Sequence, residues 1–492
     1  MMSHFIRLGK DVIAYGVMGG ISGLIGIILL PIFTRVFETD EYGILEIVVA
    51  FTTLTAILVR LSLTKALARY YYEKDYFEEK SRLISTIFFF LCISGISLVF
   101  ISLFFSQWLA AVLFDNRTAG NLIVMAVATG FFSALSAVPS MVLRLQRKIL
   151  IYNIVSASHA ITYATLALFL VLKTEMGVAG VVTASMIAAF LQLCLASTFV
   201  IDYLTITFSR NEISKCLKFA IPIFPSVFAG WVNKQVDRFI LLALLGLSGV
   251  GLYGAGAKIG GLILLGTTIF RQAWNPLAMS MLKEEAHIRN LFFRRSFNYF
   301  AGLFAILTLA LIAITPELFS WLVHADYQEA YFVVPWVAGA AIMQASLDFS
   351  SIGAIISEKT LPMSIAAWTG AVINILIGLT LIPIFGISGA AIGSFIAAMT
   401  ANMLLIANTS RVSSINMDKK VLISIFGIYV VGSLTLLWLS ETYGEGGLPL
   451  LLRISIFVLL ALILLTITID KKAYMAIRST LANTPFPGRT TR

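Results

Sequence analysis

The sequence predicts an all-α polytopic membrane protein with about fourteen transmembrane helices, and three observations carry that expectation. The chain is 59% hydrophobic and only 12% charged over 492 residues, far from the balance of a soluble domain. Fourteen apolar stretches, each long enough to cross a bilayer, run from residue 12 to about residue 470. The positive charges are sorted between the joints: 26 of the 35 Lys and Arg fall on one side, three on the other, and six inside apolar stretches, as the positive-inside rule requires. No joint exceeds about 20 residues, too few to bury a core of their own. The net charge of +10 suits joints facing anionic lipid and gives no reason to expect nucleic acid.

The elements follow in order. The first span (12–34) carries Gly16, Gly19, Gly20, Gly23 and Gly26, spaced for close helix packing; with no small-residue cleavage site before it, it reads as a retained helix. The second (43–64) opens at Glu41-Tyr42-Gly43 and ends at the basic joint Lys65–Arg82. The third (83–105) and fourth (119–143) flank Arg117 and lead to Arg144, Arg147 and Lys148; the fifth (150–172) and sixth (177–201) flank Lys173. The seventh (216–245) and eighth (249–280) hold charges well inside them, and Pro222 and Pro225 are placed to bend the seventh. The ninth to twelfth (294–323, 329–356, 361–383, 387–408) alternate between the basic joints Lys283–Arg295, Lys359 and Arg411–Lys420 and charge-poor turns. Two further spans (421–440, 448–470) precede a basic tail. An even count with this asymmetry places both termini in the cytoplasm.

The chain also repeats itself. Glu41-Tyr42-Gly43 recurs as Leu252-Tyr253-Gly254 at an offset of 211, Gly177-Val178-Ala179-Gly180-Val181 as Gly386-Ile387-Ser388-Gly389-Ala390 at 209, and Gln146-Arg147-Lys148 as Ser357-Glu358-Lys359 at 211. A six-span unit repeated in the same orientation gives two lobes related by an axis along the membrane normal, enclosing a central cavity. The expected divisions are residues 1–210 and 211–412 for the lobes, 413–470 for two additional helices and 471–492 for a cytoplasmic tail.

No enzyme motif is present. Gly254-Ala255-Gly256-Ala257-Lys258 lacks the spacing of a phosphate or dinucleotide loop. The four His are scattered without ligand spacing, and Cys92, Cys194 and Cys216 read as apolar packing residues, so neither a metal site nor a resident cofactor is expected. The chemistry lies in the six cations inside spans: Arg60, Lys234, Arg238, Lys258, Arg271 and Arg453. Arg453 lies near the start of the last helix, where its long side chain can snorkel. The other five form an expected ladder of positive charge along the cavity, with Arg60 and Arg271 nearer the cytoplasm. Lys234 and Arg238, four apart, share one helix face. Asp237, Asp348 and Glu46 are the buried acids; even fully paired they leave two of the five cations over. An anionic substrate is the natural partner for that surplus, because Arg suits phosphate geometry.

Several stretches resemble one family. Leu30-Pro31-Ile32-Phe33-Thr34-Arg35 with Glu41-Tyr42-Gly43, Leu67-Ala68-Arg69-Tyr70-Tyr71, Ile221-Pro222, Asp237-Arg238-Phe239, Val250-Gly251-Leu252-Tyr253, Gln272-Ala273-Trp274-Asn275-Pro276 and Ile382-Pro383-Ile384-Phe385-Gly386 with Gly389-Ala390-Ala391 occur in an order and spacing similar to the Wzx-type O-antigen flippases of the multidrug/oligosaccharidyl-lipid/polysaccharide (MOP) exporter superfamily. The resemblance implies a MATE-like fold in the bacterial cytoplasmic (inner) membrane. It also implies a flippase that moves a polyprenyl-pyrophosphate-linked oligosaccharide to the outer leaflet for lipopolysaccharide or other surface glycan, by cation-coupled alternating access without ATP. It suggests membrane lipids, a polysaccharide polymerase and a chain-length regulator as partners. In the related peptidoglycan-precursor flippases an acid and polar groups hold a coupling cation, proton or sodium; Asp237, Asn374 and Ser394 are the matching positions here.

Other readings differ in what they require. A drug or organic-cation antiporter of the same fold would expose acids and aromatics, against the cation surplus. A peptidoglycan-precursor flippase shares the fold. A membrane polysaccharide polymerase or ligase would need a sizeable outer loop, whereas the longest outer joint, Ser106–Arg117, is small and apolar.

Overall fold

In lipid an apolar run can satisfy its own N–H and C=O groups only by coiling into a helix, and among the described residues the chain forms helices and no strand. The computed structural model describes residues 25–281, 284–356, 361–410 and 418–468. The glycines from Gly16 to Gly23, the Ser357–Lys359 joint, Arg411 and the tail from 471 lie outside the described residues, as do the side chains of Gln272 and Asp348.

The first helix, α1, is described over Ile25–Val36. It is followed by α2 (Thr39–Arg60), α3 (Leu63–Tyr70), α4 (Phe77–Phe114), α5 (Gly120–Leu145), α6 (Ile149–Lys173) and α7 (Gly177–Thr198). The short α8 (Arg210–Ala220) leads into α9 (Phe224–Gly260), α10 (Leu262–Met281), α11 (Ala286–Ala313) and α12 (Thr315–Leu322). A 3₁₀ segment (Ala325–Val333) then precedes α13 (Val334–Ile356), α14 (Leu361–Phe385), α15 (Ile387–Ser410), α16 (Lys419–Tyr443) and α17 (Gly447–Thr468). Twelve helices among the described residues are long and apolar enough to cross a membrane. Two shorter apolar helices, Ile25–Val36 and Leu262–Arg271, accompany them, and the protein is a multi-pass membrane protein.

Helix α9 is two antiparallel legs. At Gly246 the backbone takes φ 75°, ψ −170°, a conformation open to glycine and strained for any side chain. Before it, residues 231 to 239 run antiparallel to α2: Trp231 reaches Thr53, and Arg238 reaches Glu46. After it the direction reverses, with Ser248 against Thr39 and Lys258 against Glu46.

The prolines expected to bend the seventh span instead delimit it. Pro222 sits in the turn between α8 and α9, and Pro225 lies in the first turn of α9, where a missing N–H breaks no helical bond. The expected span 216–245 is therefore two helices. Likewise α4 runs on to Phe114, so most of the expected Ser106–Arg117 joint is helical.

Two packing groups result. Helices α2 and α4–α7 pack among themselves, α9–α11 and α13–α15 form a second group, and α16 and α17 lie against α11. The second group holds an aromatic core in which Trp274 meets Phe349 at 4.1 Å, with Phe297 and Phe300 also against Phe349. The groups meet chiefly along α2 and α9. Here the backbones touch: a Cβ on Gly251 would lie 1.9 Å from the Thr39 carbonyl oxygen, and one on Gly43 2.1 Å from that of Leu247. At the Gly246 end Thr39 bonds Ser248 at 2.8 Å, the Tyr327 hydroxyl donates to Phe37 O at 2.9 Å and Arg35 donates to Trp321 O at 3.1 Å. At the other end α8 is tied to the first group by Lys74–Glu212 (2.7 Å) and Lys215–Glu73 (3.2 Å).

Candidate functional site

The α2–α9 contact places the charged residues. Tyr42 and Glu46, one turn apart, share a face of α2. Lys234, Asp237 and Arg238 lie on the first leg of α9, Tyr253 and Lys258 on the second. Glu46 is 4% exposed and bridges two cations: its Oε2 accepts from Arg238 Nε at 3.0 Å, and its Oε1 lies 3.4 Å from Lys258 Nζ. Lys258 also donates to the Tyr42 hydroxyl at 2.6 Å and stands over the Tyr42 ring at 4.7 Å. Arg238 lies over the Tyr253 ring at 5.6 Å and donates to the Lys234 carbonyl at 2.9 Å. Aromatic faces and hydrogen bonds thus hold both cations in place alongside the single carboxylate.

The five expected cations are not one evenly spaced ladder. Arg238 and Lys258 form a pair. Lys234, one turn below, is exposed and close enough to Arg271 to feel its charge. Arg60 stands at the far end of α2, about 21 Å from Glu46 at 1.5 Å per residue, where its Nε donates to Ala56 O. Lys234 and Arg60 have no acidic partner among the described residues.

Asp237 makes no ion pair with the neighbouring cations among the described residues and turns instead to hydroxyl groups. Its Oδ2 accepts from the Tyr253 hydroxyl at 2.9 Å and from the Ser394 hydroxyl of α15. Asn374 of α14 faces the same carboxylate and donates to Asn233 O at 3.4 Å. Asp237 Oδ1 and Asn374 Oδ1 are buried with no hydrogen-bond partner among the described residues. The structure therefore brings Asp237, Asn374 and Ser394 together, and two buried oxygens there retain acceptor capacity for a proton or a small cation.

Arg453 departs from the expectation. It does not snorkel: its side chain is 0% exposed, ion-paired with Glu317 of α12 and donating to Ser440 Oγ of α16 at 3.1 Å. Sequence reasoning missed Glu317 because the two lie 136 residues apart and nothing local links them. The bridging role of Glu46 was missed for the same reason, although its spacing from Tyr42 was a readable sign of a shared face.

The family model for polysaccharide biosynthesis proteins matches residues 8–283. No curated protein sequence matches the chain. Among solved structures, the chain is similar to the lipid II flippase MurJ in its inward closed conformation (TM-score 0.72, 16% identity, 95% of this chain and 100% of that one). It is similar also to a multidrug resistance MATE family transporter of the MOP superfamily in its inward-facing conformation (0.66, 13%, 81% and 95%). A third is a MOP superfamily transporter from Pyrococcus furiosus, described by the reverse polarity of its binding pocket (0.60, 12%, 82% and 95%). At these identities the likeness is one of fold. By the family match, which spans more than half of its length, this chain with the MurJ- and MATE-like fold belongs to the polysaccharide biosynthesis protein family.

Proposed function

We propose that the protein is a flippase that carries a polyprenyl-pyrophosphate-linked oligosaccharide from the cytoplasmic to the outer leaflet of the bacterial inner membrane for surface polysaccharide assembly. The observation that carries this reading is the Arg238–Lys258 pair, presented at the junction of two helix groups with one carboxylate between the two charges. Lys234 and Arg271 extend the positive field toward the α8 end, and Arg60 stands beyond. A pyrophosphate offers oxygens for a guanidinium fork and for an ammonium at once. Membership of a polysaccharide biosynthesis family and a fold shared with a lipid II flippase support the same reading.

In this reading the two helix groups are lobes that rock about α2 and α9, with the Gly246 end toward the outside, as the charge sorting of the joints requires. Asp237, Asn374 and Ser394 form the coupling site, taking a proton or sodium ion from the outer side. A drug-antiporter reading is disfavoured because the more exposed charges beside Glu46 are the cations Lys234, Arg238 and Lys258, which would repel a cationic substrate.

The test is native mass spectrometry of the purified protein, followed by flipping assays in proteoliposomes. A co-purifying polyprenyl-pyrophosphate with a defined sugar repeat, lost in Arg238→Ala and Lys258→Ala, is the expected result. Wild-type flipping of that lipid by both variants, inserted at normal levels, would overturn the reading.

A further inference from the structure

The cations of the proposed headgroup site already have an anionic occupant built into the chain. We infer that Glu46 is a displaceable counter-ion: a pyrophosphate reaching Arg238 and Lys258 evicts it, and the eviction unlatches the Gly246 end of the molecule. The inference rests on the headgroup assignment above and adds to it a link between capture and conformational change.

Four features support it. Glu46 belongs to α2 and both its partners to α9, so these ion pairs join the two helix groups. The exposures are graded: the Glu46 side chain is 5% exposed, those of Arg238 and Lys258 15% and 31%. An incoming anion therefore meets the more exposed cations before the carboxylate. Arg238 keeps the Tyr253 ring and the Lys234 carbonyl, both on α9, when the carboxylate leaves, so the guanidinium stays aimed. Glu46 is seated by a glycine, since a Cβ on Gly254 would lie 2.6 Å from Glu46 Cγ. Its position therefore depends on α2 and the second leg of α9 remaining in contact.

Competition sets the direction of the effect. A carboxylate carries one charge; a pyrophosphate carries at least two and more acceptor oxygens, so it wins both cations. The displaced carboxylate is then a buried charge without a partner, a costly state unless water reaches it. Water reaches it only if α2 parts from α9. Pyrophosphate binding thus favours parting of the Gly246 end, and the two equilibria are linked reciprocally. A monophosphate, which carries close to two charges but on one phosphorus with fewer acceptor oxygens, reaches both cations less well and displaces Glu46 less, which makes the device favour pyrophosphate.

The experiment uses the full chain in nanodiscs with Cys92, Cys194 and Cys216 replaced by Ser. Spin labels sit at Arg117→Cys, between α4 and α5, and Glu445→Cys, between α16 and α17, both exposed and on different helix groups. Pulsed-dipolar distances are read without ligand and with farnesyl pyrophosphate or farnesyl monophosphate. In the parent, the pyrophosphate should lengthen the distance and the monophosphate should do so less. Glu46→Gln should show the longer distance without ligand and bind farnesyl pyrophosphate about tenfold tighter; Glu46→Asp, which keeps the charge on a shorter arm, should lie between. A Glu46→Gln protein with parent distances and parent or weaker affinity would overturn the inference. If farnesyl pyrophosphate binds no variant, the headgroup reading fails, while the ligand-free comparison still decides whether Glu46 latches the interface.

Discussion

Replacing Arg453 by Met keeps most of the buried volume and deletes one charge. The guanidinium is fully buried and its partner Glu317 is 28% exposed. Removing one member of a buried ion pair costs about 3–5 kcal/mol, because the other charge is left without compensation. Partial exposure of Glu317 lets water recover some of this, which brings the expected loss to about 2–3 kcal/mol. Loss of the Ser440 hydrogen bond adds about 1 kcal/mol. The loss should fall on the docking of α17 against α16 and α12, elements that only this cluster ties together by charge among the described residues. The assay is a double-mutant cycle of Arg453→Met and Glu317→Gln, read as the unfolding equilibrium in mixed micelles. The Glu317→Gln protein, which leaves a fully buried guanidinium without a counter-charge, should be the least stable of the four and the double variant should recover part of the loss, giving a coupling energy of about 2 kcal/mol. A coupling within about 0.5 kcal/mol, the scatter of independent sites, would refute the claim that this pair anchors the last two helices.

Three further outcomes follow. Gly251→Ala inserts a methyl 1.9 Å from the Thr39 carbonyl oxygen; the helices must part at a cost of about 1–3 kcal/mol, so the Arg117–Glu445 label distance should lengthen, and an unchanged distance would count against the backbone contact. Burial pushes the Cys216 thiol on α8 from 9.0 up to about 11, with the Glu212 charge adding; at pH 8 maleimide labelling should be about 100-fold slower than for an ordinary thiol and rise about tenfold per pH unit. Because the native pKa is the higher one, this thiol's contribution to stability is complete below pH 9 and is lost as pH rises toward 11; rapid labelling at pH 8 would contradict its burial. Asp237→Asn keeps a side chain able to meet Tyr253 and Ser394 but removes the charge; flipping should lose its dependence on an imposed ion gradient while headgroup binding persists, and gradient-driven flipping at the parent rate would remove Asp237 from the coupling role.

Most of the fold was legible because membrane insertion is a local rule. Each apolar run must be long enough and must satisfy its own backbone, and each basic joint stays on one side, so Leu63-to-Arg82 or Arg144-to-Lys148 can be placed without knowing any neighbour. The positions of the candidate site residues were legible for a similar reason: a Lys or Arg within an apolar span stands out whatever surrounds it. What could not be read was pairing. Asp237 and Arg238 are adjacent in the chain and both touch Tyr253, yet one bonds Ser394 of α15 and the other Glu46 of α2. Lys258 and Glu46, 212 positions apart, lie 3.4 Å from each other.

The amino-acid sequence by itself determined that this protein lives in a membrane as a bundle of many helices and which cations lie within its apolar helices, because hydrophobicity and chain length act residue by residue. Only the tertiary structure decided which charges neutralise each other: that Glu46 holds Arg238 and Lys258 across the junction, that Arg453 is locked to Glu317, and that Asp237 keeps an oxygen free beside Asn374. Those outcomes depend on helix rotation and on the glycine-permitted approach of α2 to α9, and ion pairing falls off over a few ångströms, a scale on which sequence separation carries no information.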